Sequence, residues 1–247
     1  MSAAELDLSI VVPTYEEAEN LPSLVGRIEA AVSAAGLAYE VIVVDDASPD
    51  DTEAVCARLA ERFPLRLVVR TAERGLSTAV LAGFERARGE RVVVMDADLS
   101  HPPEQIPALV AALDGPGVDF VVGSRYVAGG STEEGWGLLR QLNSRVASAL
   151  ARPLTRIRDP MAGFFGIRRR RVLAARERLD PVGYKIGLEL LVKCECRGVV
   201  EVPIRFARRH RGRSKLDLGE QLAYLRHLAR LYRHRLGRGA FARARGG

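Results

Sequence analysis

The stretch DADLSH at residues 96 to 101 sets two carboxylates, Asp96 and Asp98, two positions apart directly behind the apolar run RVVVM. Such a pair at the end of a strand can reach one hard cation. Mg²⁺ takes one or two carboxylates together with phosphate oxygens of a ligand, so the chemistry expected is metal-assisted departure of a diphosphate. Spacing alone is a weak signal, since 31 acidic residues among 247 give about four such pairs by chance. Position decides, because carboxylates crowded at a strand end are disfavoured unless a cation or a donor offsets them. Asp45 and Asp46 end the run EVIVV in the same way and offer acceptors to a ribose or a base edge. The residues that follow, ASPDDT, read as a turn and helix cap built on Ser48, Asp50 or Asp51. PTYEE at 13 to 17 closes a further run with Tyr15, a ring for stacking a nucleobase, and Glu17, a polar contact.

These groups need a scaffold that aligns strand ends. Five apolar runs rich in β-branched residues, at 8 to 14, 40 to 46, 65 to 69, 91 to 98 and 119 to 125, predict five strands. Helical spacing lies between them, as in Leu21, Leu24, Val25, Ile28 and Val32, or Ala79, Val80, Gly83, Phe84 and Ala87. Near-continuous apolar strands require both sheet faces to be covered, which predicts an α/β fold with a mostly parallel sheet and its ligand loops at the strands' carboxyl ends. Beyond residue 135 the pattern loosens. DPMAGFFG at 159 to 166 interrupts it, a helix is expected over about 183 to 197, a strand over 199 to 206 and a last helix near 217 to 236. The chain divides into a catalytic domain, 1–216, and a basic amphipathic helix and tail, 217–247.

At 47% hydrophobic and 28% charged the composition is globular, which excludes a disordered or collagen-like chain. Cys56, Cys194 and Cys196 form no even disulfide framework and fit a reducing compartment. No spanning run and no signal-peptide layout is seen, so a cytosolic location is expected. GxGxxG, Walker A and GxSxG motifs are all absent, against a nicotinamide dehydrogenase, a P-loop NTPase and an α/β-hydrolase. His101, His210, His227 and His234 lack metal-ligand spacing and read as polar surface. Residues 205–247 carry a charge of +11 and residues 1–204 one of −5, so the tail asks for an anionic partner. Nucleic acid fails as that partner: the tail lacks interleaved aromatics, and binding it leaves acids at two strand ends unexplained.

Taken in series, PTYEEAENL, VIVVDDASPDDT, RGLSTAVLAGF, MDADLSHPPE, GSRYVAGG, DPMAGFFG and GRSKL resemble the dolichyl-phosphate (polyprenyl-phosphate) mannose synthases of inverting glycosyltransferase family 2, over residues 8 to about 228. The resemblance implies a GT-A fold and a nucleoside pocket for GDP made of Pro13, Tyr15, Glu17, Val44 and Asp46. It implies that Asp96, Ala97 and Asp98 bind Mg²⁺ or Mn²⁺ and the diphosphate, with Ser100 at a position that helps ligate metal in some relatives. Arg125, Arg209 and Lys215 complete the phosphate clamp; Arg140, upstream of Ser144, matches a basic position associated with the lipid phosphate, which Arg125 and Arg209 also face. Asp159 is the base candidate by resemblance, and its place before Pro160 also suits an organiser of the acceptor loop. Ala47 and Asp51 stand where the family usually has glycine.

The implied reaction is attack of a polyprenyl-phosphate oxygen on the anomeric carbon of GDP-mannose, with inversion. The nucleophile is already anionic, so no strong base is needed and stabilisation of the leaving diphosphate is the main requirement. UDP-glucose as donor, or a polysaccharide as acceptor, is the alternative within the same family. On the last helix Leu218, Leu222, Leu225, Leu228, Ala229 and Tyr232 form one broad stripe beside Arg226, Arg230 and Arg233. That pattern suits the cytosolic face of a membrane, reached directly or through a small anchoring subunit, and equally suits packing on the sheet.

Overall fold

The computed structural model describes residues 6–132, 146–207 and 218–244. Strands β1 (Leu8–Thr14), β2 (Tyr39–Asp45), β3 (Leu65–Val69), β4 (Arg91–Val94) and β5 (Val118–Ser124) occupy the five predicted runs. Every residue of β1 and β2 is buried, as both faces of a covered parallel sheet require. Side chains alternate between two cores. Ile10, Val12, Val41 and Val43 meet α1 (Leu21–Ala34), α2 (Thr52–Ala60) and α4 (Ile106–Leu113) on one face. Val11, Ile42 and Val44 meet α3 (Leu76–Arg86) on the other.

With β7 (Phe165–Arg168) and β8 (Gly198–Pro203) the sheet has seven strands in the order β3-β2-β1-β4-β7-β5-β8, and β7 alone runs antiparallel to its neighbours. The sequence reading treats this segment as an interruption. FGIR is too short to show a period and runs straight into three more arginines, so nothing local marks it as a central strand. Its insertion between β4 and β5 positions the site. Because β7 runs backwards, the loop 159–164 that feeds it lies at the carboxyl ends of β4 and β5, beside the DAD turn.

After β7 come α6 (Arg169–Ala175), α7 (Ile186–Lys193) and β8 (Gly198–Pro203). The predicted strand over 199 to 206 is divided at Ile204. Its last residues, β9 (Arg205–Phe206), pair in parallel with β6 (Ser131–Thr132) as a small second sheet. Residues 146–151 form helix α5, and α8 (Leu218–Ala244) closes the chain. Tyr224, Leu228 and Leu231 of α8 are buried against Ala151, Leu154, Leu188 and Met161, the last of these from the 159–164 loop. Among the described residues no helix is long and apolar enough to cross a membrane, and Cys56, Cys194 and Cys196 are unpaired thiols.

Candidate active site

Three turns at the carboxyl edge each contain a non-glycine residue with positive φ: Glu16 (62°) after β1, Ala47 (51°) after β2 and Leu99 (62°) after β4. Such residues cost about 1 to 3 kcal/mol each and persist only where surrounding bonds hold them, which is characteristic of functional edges. Here those bonds are explicit. The Ser48 hydroxyl donates to Asp45 Oδ1 (2.6 Å) and accepts from the Glu16 N–H (2.9 Å), which ties the first turn to the second. Asp50 accepts from the Ala18 N–H at 3.1 Å and from the Thr52 hydroxyl at 2.6 Å. The turn-and-cap reading of ASPDDT therefore holds for Ser48 and Asp50, and Asp45 belongs to the same scaffold.

Asp46 is different. Arg70, one residue past β3, donates to its Oδ1 from Nε (2.7 Å) and Nη2 (2.5 Å), and the Gly75 N–H donates to Oδ2 (2.7 Å). Gly75 has φ 140°, a backbone state open to glycine and rarely to other residues, so this contact depends on its identity. Arg70 also donates to Thr78 Oγ1 (2.9 Å) and to the Gly75 carbonyl (3.1 Å), which shapes the loop before α3. That loop carries Arg74, whose guanidinium lies 5.2 Å from the centroid of the Tyr15 ring. Tyr15 is 36% exposed and offers one face at the edge, while Glu17 accepts from Asn20 Nδ2 at 2.6 Å. Pro13 pairs in register with Val44, whose side chain is core beside Ala79 and Val80. Arg70 and Gly75 escaped the sequence reading. A signal existed for Arg70: it ends LRLVV as Asp46 ends EVIVV.

In the DAD turn, Asp98 is buried and its Oδ1 accepts from the Ser100 N–H (3.0 Å) and hydroxyl (2.5 Å). Ser100 thus stands behind Asp98, and Ala97 is core. The Asp96 side chain is 28% exposed and faces the 159–164 loop closely. A Cβ on Gly163 would lie 3.4 Å from both Asp96 carboxylate oxygens, so the glycine lets loop and carboxylate approach. The expectation that the histidines are polar surface fails at two positions. His101 and His227 are 2% and 1% exposed, because each has a polar partner that lets a ring enter the core. His101 Nδ1 accepts from the Asp96 N–H (3.0 Å), and burial pushes this imidazole below its ordinary value against the pull of Asp96 and Asp98. His227 lies on α8 and contacts Glu189 Oε2 at 2.9 Å. His210 lies outside the described residues.

On the far side of β7, Arg125 closes a fork on Asp159, with Nε to Oδ2 at 2.8 Å and Nη2 to Oδ1 at 2.7 Å, while its own N–H donates to Oδ2 at 3.1 Å. Burial lowers the affinity of Arg125 for its proton, but its bonds to the Asp159 carboxylate and the charge there outweigh it and leave the guanidinium above its ordinary value. The same guanidinium sits 5.2 Å from the Phe206 ring. Arg140, Ser144, Arg209 and Lys215 lie outside the described residues.

Hard oxygen donors suit Mg²⁺ or Mn²⁺, and the described residues contain no cluster of three acids, histidines or cysteines fit to enclose a metal. Two carboxylates, one of them open to the loop that faces it, fit a cation that completes its shell with phosphate oxygens and water.

Residues 9–174 match the family model Glycosyl transferase family 2. The chain is 46% identical over 230 residues to the dolichol-phosphate mannosyltransferase of Pyrococcus furiosus, covering 92% of this chain and 64% of that protein's length. With the Mycosarcoma maydis protein of the same name the identity is 46% over 236 residues, covering 93% and 80%. Among solved structures, Mycobacterium tuberculosis glucosyl-3-phosphoglycerate synthase, crystallised with Mn²⁺, UDP and phosphoglyceric acid, superposes with a TM-score of 0.70 over 92% of this chain and 79% of its own, at 23% identity. That likeness gives the fold, a GT-A type α/β sheet. The chain belongs to glycosyl transferase family 2, in its dolichol-phosphate mannosyltransferase group.

Proposed function

We propose that this chain transfers mannose from GDP-mannose to the phosphate of a polyprenyl or dolichyl lipid, with inversion, using Mg²⁺ or Mn²⁺. One observation carries the proposal. The paired carboxylates of the DAD turn and the 159–164 loop meet at Asp96 and Gly163, so a leaving diphosphate and an incoming phosphate can share one edge of the sheet.

Asp46, fixed from behind by Arg70 and Gly75, takes the base edge of the nucleotide, and Tyr15 takes a ring face. Pro13, Glu17 and Val44 complete the nucleoside side. Asp96 and Asp98 would hold the cation, with Ser100 orienting Asp98. When bound, the cation neutralises charge on the departing diphosphate. The acceptor phosphate is anionic at neutral pH and attacks without a base, so Asp159 serves to hold Arg125 at the acceptor loop rather than to take a proton. Arg140, Ser144, Arg209 and Lys215 are assigned to the phosphates on their sequence positions alone.

Access of the lipid is assigned to α8. One face of this helix is packed, and another exposes Leu222 (64%), Leu225 (50%) and Leu236 (73%) with Arg226 and Arg233 alongside. Apolar side chains flanked by arginines suit an anionic bilayer surface. The packed face includes the seat of Met161, so the membrane-facing helix and the acceptor loop share one small core.

The test is synthesis of lipid-linked product from a panel of labelled nucleotide sugars with polyprenyl phosphate and Mg²⁺ or Mn²⁺. GDP-mannose is expected to be the preferred donor, and Asp98→Ala to abolish transfer while the fold survives. Preference for UDP-glucose, or full turnover by the alanine variant, refutes the assignment. Flotation with anionic liposomes tests the role of α8.

A further inference from the structure

His101 lies where three separate parts of the chain meet. Its Nδ1 accepts from the Asp96 N–H at 3.0 Å, which ties it to the DAD turn. Its ring stacks on Phe164 of the acceptor loop, with centroids 5.3 Å apart and planes at 22°. Its other neighbour is Phe206 of β9, edge-on at 5.3 Å and 70°. Phe206 in turn carries the Arg125 guanidinium, and the Ala207 N–H donates to the Ser100 carbonyl at 3.0 Å. A Cβ on Gly163 would come within 3.3 Å of His101 Cε1, so the loop closes directly over the ring. With 2% exposure the imidazole has no room to swing, and accepting at Nδ1 requires that its proton sit on Nε2.

We infer that His101 is a positioning residue: it holds the Asp96 main chain and locks the DAD turn to the acceptor loop, so that the cation site and the acceptor site keep a fixed register. It touches neither substrate. A ring that merely filled space could be replaced by phenylalanine, whereas the structure gives its nitrogen a specific task. Loss of that acceptor leaves the Asp96 N–H unpaired in a nearly closed setting and frees the turn to drift. The inference rests on Asp96 serving the cation as proposed above.

His101→Phe keeps a ring between Phe164 and Phe206 but removes the acceptor, and His101→Asn restores an acceptor near the place of Nδ1 but removes the ring. In the metal-free chain, the Asp96 amide is expected to exchange with solvent about tenfold faster in H101F than in wild type, and H101N to recover most of that protection. Mn²⁺ binding in the presence of GDP, followed by the Mn²⁺ spin-resonance signal, is expected to weaken about tenfold in H101F and to recover in H101N. H101N is expected instead to raise KM for the lipid phosphate, because the stack on Phe164 is lost. Wild-type amide protection and Mn²⁺ affinity in H101F, or equal losses in both variants, overturn the inference. Should H101F not fold, ring ¹⁵N shifts of the wild-type chain decide: a proton on Nδ1 overturns it. A wild-type chain that binds no Mn²⁺ with GDP refutes the proposed function, while the metal-free amide and tautomer readings still judge His101.

Discussion

Arg125 and Asp159 face each other across the end of β5 as a closed fork, both carboxylate oxygens engaged and the pair 8% and 0% exposed at the side chain. A buried pair of this kind adds little against an apolar substitute, but removing one partner leaves an uncompensated charge and costs about 3 to 5 kcal/mol. Asp159→Ala is therefore expected to destabilise the chain by about that amount in urea. Asp159→Asn keeps the shape and is expected to lose part of it. If Asp159 organises the loop, the Asn variant raises KM for the lipid phosphate and leaves the acidic limb of the pH-rate profile in place. A profile that loses this limb together with a hundredfold or larger fall in kcat would assign Asp159 as base instead.

Asp46 and Arg70 give a separable prediction on the nucleotide side. Arg70→Lys retains one charge but cannot reproduce two donors to one carboxylate with two more to Thr78 and Gly75. Asp46 is then free to rotate, and the loop bearing Arg74 loses its anchor. The expected result is an increase of about tenfold in the Kd for GDP, read by calorimetry, with kcat at saturating donor changed less than threefold. Unchanged affinity for GDP would remove Asp46 from the base pocket.

The first five strands were legible because a covered parallel sheet writes itself as continuous apolar runs, and the site carboxylates stood at the ends of those runs. What the runs could not reveal is what meets across them. Asp159 is brought to Arg125 by the reversed strand β7, a pairing between residues 34 positions apart with no local period to announce it. His101 looked like a surface histidine because its partner is a main-chain N–H and its stacking rings lie far along the chain. Arg70 was hidden among 37 basic residues, and its place at a strand end was a slight signal until burial separated it from the solvated ones. On α8 the stripe read as one face divides into two: Leu228 is packed while Leu222 and Leu225 are exposed, and which side of the helix turns inward is decided by its neighbours.

Ala47 offers a test of backbone strain. Its φ of 51° is favoured by glycine, and alanine holds it at a cost of about 1 kcal/mol. Ala47→Gly is expected to relieve most of this, less the entropy that glycine loses on folding. The net expectation is a Tm higher by at most about 2 °C with GDP affinity unchanged. A fall in Tm would mean that the Ser48 to Asp45 bonds already hold this turn without strain.

The mooring of α8 should depend on acid. Glu189 is fully buried on α7, where burial alone would push its carboxyl up, but bonds from His227, Lys193 and the Asp180 N–H outweigh it and hold it below its ordinary value of 4.5. A carboxyl whose folded value is depressed contributes stability that is fully present above 4.5 and is lost as pH falls through the folded value. The neighbouring Arg230 to Asp180 pair is largely exposed and adds little. Protection of the α8 amides from exchange, taken relative to their intrinsic rate at each pH, is therefore expected to stay constant from pH 7 to 5 and to fall progressively below pH 4.5. Glu189→Gln should lower this protection at every pH and flatten its dependence, because Lys193 is then buried without its counter-charge. Since Met161 shares the α8 core, the same variant is expected to raise KM for the lipid phosphate without weakening GDP binding. An α8 whose protection, relative to the intrinsic rate, is unchanged down to pH 3 would show that Tyr224, Leu228 and Leu231 hold the helix alone and that the buried ion cluster serves another end.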